Sequence, residues 1–410
     1  MEIRPILSAL LRNKTGPILV ALQVALSLAI LANALHIVNE RREVAARPSG
    51  LLDEASTFYF SVRNLNQDTP EQMLATIKRE LEVLRAVPGM VSAGQVSQMP
   101  MSQSGTTSSV SADPRQERES AYTSVYASDG SMVKTFGLKL VEGRDFLPHE
   151  VPEVNQAASN LPPENILMTK ALAEKLWPGV PAVGKTMYFG TGNDARGTRV
   201  VGVVERLQTV HAEIGMDSEY SILMPELAYG LPGTTYAMRA EAGQRDRVMQ
   251  EAEQALRKSS ATPMILRIKT VEGDRQERYR ADMALSWMLV TVSVLLLLVT
   301  CSGIVGMASL WVTQRRKQIG VRRALGARKT DILRYFILEN VMITSGGVFG
   351  GVLLGVALNG LLVSKLEMTR LPLMYLVGGA VLFWAIGILA AYGPAWRAAS
   401  TSPALATRST

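Results

Sequence analysis

MALSWMLVTVSVLLLLVTCSGIVGMASLWVTQ, residues 283–314, contains no formally charged side chain. A helix rises ~1.5 Å per residue, so about 20 apolar residues cross the roughly 30 Å hydrocarbon core of a bilayer. This stretch is long enough, and it is not alone. Residues 15–38, with GPILVALQVALSLAI at their heart, are also free of charge, as are 340–364 and 371–396, the last including LVGGAVLFWAIGILAAY. Four runs of this kind predict an integral membrane α-helical protein. The expected helices lie at 15–38, 283–312, 340–364 and 371–393, and one large α+β domain, 39–282, lies between the first and second. ANA at 32–34 resembles a small-residue cleavage site, but the apolar stretch before it exceeds the ~7–15 residues of a signal-peptide core, which favours a retained helix.

Charge sets the expected orientation. The chain as a whole carries +7, yet residues 39–282 hold 28 Lys/Arg against 32 Asp/Glu, and the remainder 15 against 4. The positive excess therefore sits beside the membrane runs, which argues against nucleic acid as a partner. Arg315, Arg316, Lys317, Arg322, Arg323, Arg328, Lys329 and Arg334 cluster between the second and third runs, opposed only by Asp331 and Glu339; Arg4, Arg12 and Lys14 precede the first. By the positive-inside rule the N-terminus 1–14, the loop 313–339 and the tail 394–410 are cytoplasmic, and 39–282 lies outside.

Within the outer domain two β-α-β patterns bracket an insertion. The first reads STFYFSVRN (56–64), PEQMLATIKRELEVLRAV (70–87) and VSAGQVSQM (91–99). The second reads TTYAMRAEA (234–242), QRDRVMQEAEQALRKS (244–259) and TPMILRIKTV (262–271). They predict a split α+β module formed from about 50–110 and 231–271, with a β-rich subdomain inserted over about 120–230. YTSVYAS, RVVGVVERL and YSILMPEL read as its strands, TKALAEKLW (169–177) as a short helix, and MSQSGTTSS (101–109) as a loop.

GVPAVGKT (179–186) satisfies the phosphate-loop pattern G-x-x-x-x-G-K-[ST]. A phosphate loop leaves a strand and opens a helix. This one follows a helix and precedes the strand-like MYFG, and Pro181 removes a backbone donor the cradle needs. It reads as a turn. Cys301 is the single cysteine, so no intrachain disulfide forms, and His36, His149 and His211 lie far apart with no ligand spacing. No metal site, bound cofactor or catalytic constellation is expected.

TQRRKQIGVRRALGARKTDILRYFILENV (313–341) carries the most information. RRKQIGVRRALG suits a short amphipathic helix with Val321 and Leu325 on one face at i,i+4. Gly326 is its expected stop, and Thr330 the expected cap of a helix continuing into the membrane. On the residues alone, such a helix either docks a cytoplasmic partner or rests on anionic lipid. Downstream, Gly347, Gly351 and Gly355, with Gly346 and Gly350, form small-residue ridges, suited either to a subunit interface or to packing on another span of the same chain.

Here the chain resembles the FtsX-like permease family, and specifically its MacB-type members. Their cytoplasmic loop reads approximately Q-R-x-x-E-I-G-[ILV]-R-x-A-[LI]-G-A. This chain supplies Gln314, Arg315, Ile319, Gly320, Val321, Arg322, Ala324, Leu325, Gly326 and Ala327, and departs at Gln318, where the family usually has Glu. MVKTFGLKLVEGRDF (132–146), ILMTKALAEKLWPGVPAVGKTMYF with RVVGVVERL, and GPAWRAASTSPALATR (393–408) are similar to further family segments, so the likeness covers nearly the whole chain.

The resemblance implies a non-catalytic permease subunit in the bacterial inner membrane. Its loop would be a coupling helix docked on a separate ABC ATPase, which itself would hold ATP and Mg. A second permease, identical or related, would complete the complex among the membrane lipids. ATP-driven movement would pass through the spans to the periplasmic domain, and cargo would leave through a periplasmic adaptor (a membrane fusion protein) and a TolC-like outer-membrane channel. A lipoprotein-releasing permease and a transmembrane regulator of a cell-wall hydrolase are the alternatives within the same family.

Overall fold

The computed structural model describes residues 14–66, 68–158, 161–231, 233–260, 262–366 and 369–400. The chain divides into two compact units. One is Val44–Arg280; the other comprises the residues up to Glu43 and those from Ala281 onward. In chain order the first elements are α1 (Thr15–Ala45), β1 (Thr57–Asn64), α2 (Pro70–Arg85), β2 (Met90–Val96), β3 (Thr107–Ser111), β4 (Ala121–Ser128), α3 (Met132–Phe136), β5 (Leu140–Gly143) and β6 (Glu153–Asn155). There follow β7 (Asn165–Thr169), α4 (Lys170–Leu176), β8 (Thr186–Phe189), β9 (Arg196–Val204), β10 (Ser221–Pro225), β11 (Leu227–Tyr229), β12 (Thr234–Ala240), α5 (Arg245–Ser259) and β13 (Met264–Thr270). Four helices close the chain: α6 (Val271–Gln314), α7 (Arg316–Ala324), α8 (Lys329–Leu366) and α9 (Leu373–Ala399).

In the α/β unit, β2, β12, β1 and β13 lie side by side in that order, each pair antiparallel. This is the arrangement a split pair of β-α-β units produces. Alternation along β1 sorts its side chains: Phe58, Phe60 and Val62 face one core with Tyr236 and Met238, whereas Tyr59 joins the core on the opposite side. The first core is covered by two helices. Ile77, Leu81 and Leu84 form the buried stripe of α2, and Val248, Ala252 and Leu256 that of α5, both at helical spacing. The start of α2 is fixed by a capping box, in which the Thr69 hydroxyl accepts from the Gln72 N–H while the Gln72 side chain accepts from the Thr69 N–H.

The inserted strands close on themselves. β4 pairs with β3, β3 with β8, β8 with β9, β9 with β7, β7 with β10, and β10 returns parallel to β4. Ile166, Met168, Met187, Val200, Val203 and Ile222 belong to the core of this ring, and closure leaves it no free edge. MSQSGTTSS, expected as a loop, differs at its end. Thr107–Ser111 is strand β3, held by Ser108 opposite Thr123 and Val110 opposite both Ala121 and Phe189. Its Ser/Thr composition hid it, because pairing on both edges rather than apolar patterning holds it.

In the other unit α1, α6, α8 and α9 are long and apolar enough to cross a membrane. Val24 and Leu28 of α1 are fully buried among Ile304 of α6, Ile343 and Val348 of α8, and Phe383 of α9. Side-chain hydrogen bonds stitch the helices where no water competes. Ser27 pairs with Thr300 at 2.8 Å, the Asn33 amide donates to the Gly355 carbonyl at 3.1 Å, and the Asn340 amide donates to the Gly387 carbonyl at 2.5 Å. The first helix continues to Ala45, beyond the charge-free run that ends at Val38. α6 likewise begins at Val271, well before the apolar stretch at 283.

Candidate functional site

The loop joining α6 to α8 is the short helix α7. It has two unlike faces. Ile319 and Gly320 are buried, and Ile319 packs among Ile332 and Phe336 of α8 and Ala395 and Ala399 of α9. Arg315, just before the helix, donates two bonds to the Glu339 carboxylate at 3.0 and 2.8 Å. Glu339 is only 1% exposed, so this fork ties the loop to α8 where solvent is excluded. Arg322 lies over the Tyr335 ring, 5.2 Å from its centroid, a second tie between α7 and α8.

The other face is open. Gln318, Val321, Arg322 and Leu325 follow one another at helical spacing and are all exposed, Val321 at 52% and Leu325 at 83%. An apolar pair is thus presented outward, with Arg316, Lys317, Arg328 and Lys329, also exposed, nearby in sequence. Gln314 and Ala324 are exposed as well. The helix stops as its sequence directs. Gly326 takes φ +96°, its N–H donates to the Arg323 carbonyl, and the Ala327 N–H reaches the Arg322 carbonyl, the paired bonds of a Schellman stop. The start of α8 differs from the expected Thr330 cap. Its helix begins at Lys329, and the Asp331 carboxylate accepts from the Arg328 N–H at 3.0 Å. A carboxylate acceptor at the positive end of the helix is the better partner, and Thr330 falls inside the first turn.

The glycine ridges of α8 separate by partner. A Cβ at Gly347 would lie 2.7 Å from the Ala21 carbonyl oxygen, and one at Gly351 would lie 3.0 Å from that of Ala25. At Gly355 it would lie 3.0 Å from Leu376 of α9, and at Gly350 it would meet the Ala25 methyl at 3.5 Å; Gly346 has nothing within 4 Å. Gly347 and Gly351 therefore let α8 approach α1 of the same chain. GVPAVGKT joins α4 to β8. Gly179 and Gly184 take φ of +69° and +88°, and the Lys185 ammonium sits over the Trp177 ring at 5.1 Å. This is a turn with its lysine already engaged.

Residues 21–277 match the model of the MacB-like periplasmic core domain, and residues 290–403 that of the FtsX-like permease C-terminal region. The chain is a member of the MacB-like, FtsX-like ABC permease family. Among its relatives is a macrolide export ATP-binding/permease protein, MacB, of Bradyrhizobium diazoefficiens, 30% identical over 51% of this chain and 33% of that one. Another is an uncharacterised ABC transporter permease, YvrN, of Bacillus subtilis, 24% identical over 70% of each chain. The periplasmic region of MacB from Actinobacillus actinomycetemcomitans aligns in structure at 14% identity with a TM-score of 0.33, covering 57% of this chain and 97% of that one. The chain spans about a third of the length of the first curated relatives it matches.

In this permease one contact at the loop escaped sequence reasoning, the Arg315–Glu339 fork. Its signal was present: Glu339 is an acid at the threshold of an apolar run, 24 residues after an arginine at the end of another.

Proposed function

We propose that this permease is driven by a separate ABC ATPase that docks on the exposed face of α7, and that it exports cargo by mechanotransmission. The observation that carries the reading is the two-faced loop. Ile319 and the Arg315–Glu339 fork bind α7 to α8, so a push on the helix is delivered to the spans rather than absorbed by the loop. Val321 and Leu325 supply an apolar contact for the pusher. The cations flanking α7 support a cytoplasmic position for this loop, beside ATP, and a periplasmic one for the α/β unit. The partner ATPase would bind ATP and Mg, this chain serving as the non-catalytic subunit of the inner-membrane complex.

A second permease copy or relative would meet a second ATPase. On the outer side, a periplasmic adaptor and an outer-membrane channel would carry the cargo away. The Bacillus subtilis relative, matched over 70% of each chain and itself described as a permease, supports an arrangement in which permease and ATPase are distinct chains. Affinity capture of the tagged chain from its native membranes, with identification of co-purifying proteins, tests the reading. An ABC ATPase together with an adaptor supports it. Lipoproteins or a cell-wall hydrolase in place of the adaptor would overturn the export step, and the absence of any ATPase would overturn the whole.

A further inference from the structure

We propose that the cavity beside Glu226, within the α/β unit, binds an organic cation: an ammonium group carried on a compact hydrocarbon body. Glu226 sits between β10 and β11, its backbone N–H donating to the Ser128 carbonyl at 2.8 Å. Its side chain is 6% exposed, and among the described residues it has no hydrogen-bond or ion-pair partner. Burial alone raises its carboxyl above the usual carboxylate range. A desolvated carboxylate without a partner is costly, and folds that keep one commonly use it.

The space beside it has the size and walls of a ligand site. The cavity holds about 590 Å³, and Pro152, Leu161, Pro162 and Pro163 give it rigid apolar walls, with Glu164 also contributing to its lining. No lysine or arginine is among its described lining residues. Other acids nearby are already engaged. Glu150 accepts from Arg144, from the Leu147 N–H and from the Asn165 amide, and Glu153 pairs with Lys78. Glu164 faces solvent, so Glu226 is the buried acceptor left for a ligand.

The chemistry narrows the ligand class. An anion would meet the carboxylates of Glu150, Glu164 and Glu226, with His149 the one lining side chain able to carry a positive charge, and a neutral body without a donor would leave Glu226 unpaired. A metal ion needs several converging oxygens, and among the described residues no group of three or more His, Cys, Asp or Glu could hold one. An ammonium group satisfies the carboxylate while its hydrocarbon part covers the proline walls.

Three molecules with one ring body and different charge test this: tryptamine, tryptophol and indole-3-acetate, titrated calorimetrically onto the full chain in nanodiscs. Tryptamine is expected to bind at least about tenfold more tightly than the other two, the contribution of one charge-assisted hydrogen bond. Glu226→Gln keeps the shape and removes the charge. It should bring tryptamine to the level of tryptophol without lowering the melting temperature, whereas Glu164→Gln, at an exposed residue, should change affinity by no more than about twofold. Equal binding of the three, no binding of tryptamine, or undiminished tryptamine binding by Glu226→Gln would overturn the proposal. The measurement reads binding alone, so its outcome is independent of whether the permease exports cargo.

Discussion

Leu325→Asp separates docking from folding at the loop. Leu325 is 83% exposed in this chain, so the substitution should cost its own fold under about 0.5 kcal/mol. Docked in an apolar groove of an ATPase, the leucine would contribute about 2 kcal/mol of burial. A carboxylate in its place would add roughly 1–3 kcal/mol for an unpaired buried polar group. Neighbouring cations offset part of that second figure, because Arg328 and Lys329 are exposed and close in sequence to the new charge. About 3 kcal/mol remains, a loss of affinity on the order of a hundredfold. The assay is titration of the purified partner ATPase onto nanodisc-embedded permease, with ATP turnover followed in the same samples and melting temperature as the folding control. Leu325→Met should leave all three unchanged. If Leu325→Asp binds the ATPase within about twofold of the parent, the docking face has been misassigned. A variant that instead alters only the response to anionic lipid would mean that the helix rests on the bilayer surface.

Further expectations concern the anchors beneath that face and the α/β unit. Arg315→Ala strands a buried Glu339; removing one partner of a fully buried pair costs about 3–5 kcal/mol, and with Arg315 one-fifth exposed about 2–3 kcal/mol is expected, read as a lowered melting temperature in nanodiscs. A melting temperature unchanged by that substitution would mean the fork does not hold α7. Gly347→Ala drives a methyl toward the Ala21 carbonyl and should cost about 1–3 kcal/mol, whereas Gly346→Ala meets open space and should be neutral; equal effects would contradict the α1–α8 contact. Glu80 is buried, and its carboxyl is held above the usual range by desolvation, while the Tyr236 hydroxyl donating to it at 2.5 Å offsets part of the rise. The folded domain therefore retains a proton that the unfolded chain has released. This group's stabilisation is present at low pH and lost as pH rises through the raised value, so the stability of Glu80→Gln relative to the parent should increase from about pH 4 to 7 in urea titrations. A pH-independent difference would refute the assignment.

The four membrane runs and the two β-α-β patterns were legible because burial on one side writes itself into spacing. Residues 15–38 and 283–314 carry no charge, and Val248, Ala252 and Leu256 recur at helical intervals. The split module followed from two copies of one pattern. Closure of the inserted strands was not legible, since β4 meets β10 and β7 meets β9 in parallel across long separations that no local pattern encodes. β3 was lost to its own polarity. At the loop, Gly326 announced its left-handed turn because few other residues tolerate it. The exposed pair Val321 and Leu325 could be placed on one face, but Ile319, equally apolar, could not be told from them until its neighbours on α8 and α9 were known. Glu226 gave no sign at all, because an unpaired carboxylate looks in sequence like any surface acid.

The pairing of Val96 with Thr235 has a consequence for how such a chain can diversify. These two residues face each other across neighbouring strands, so a tight hairpin from one to the other would preserve the register of β2, β12, β1 and β13 apart from the pair Val62 and Thr234. Everything between them is, in topological terms, a cassette plugged into a complete scaffold. Its tenancy is not free, because Tyr126 and Leu223 share a core with Tyr59 and Ala237, and an exchanged cassette must present an equivalent apolar underside. Within that condition, the cassette can be exchanged while the strands that join the α/β unit to the helices on either side stay unchanged.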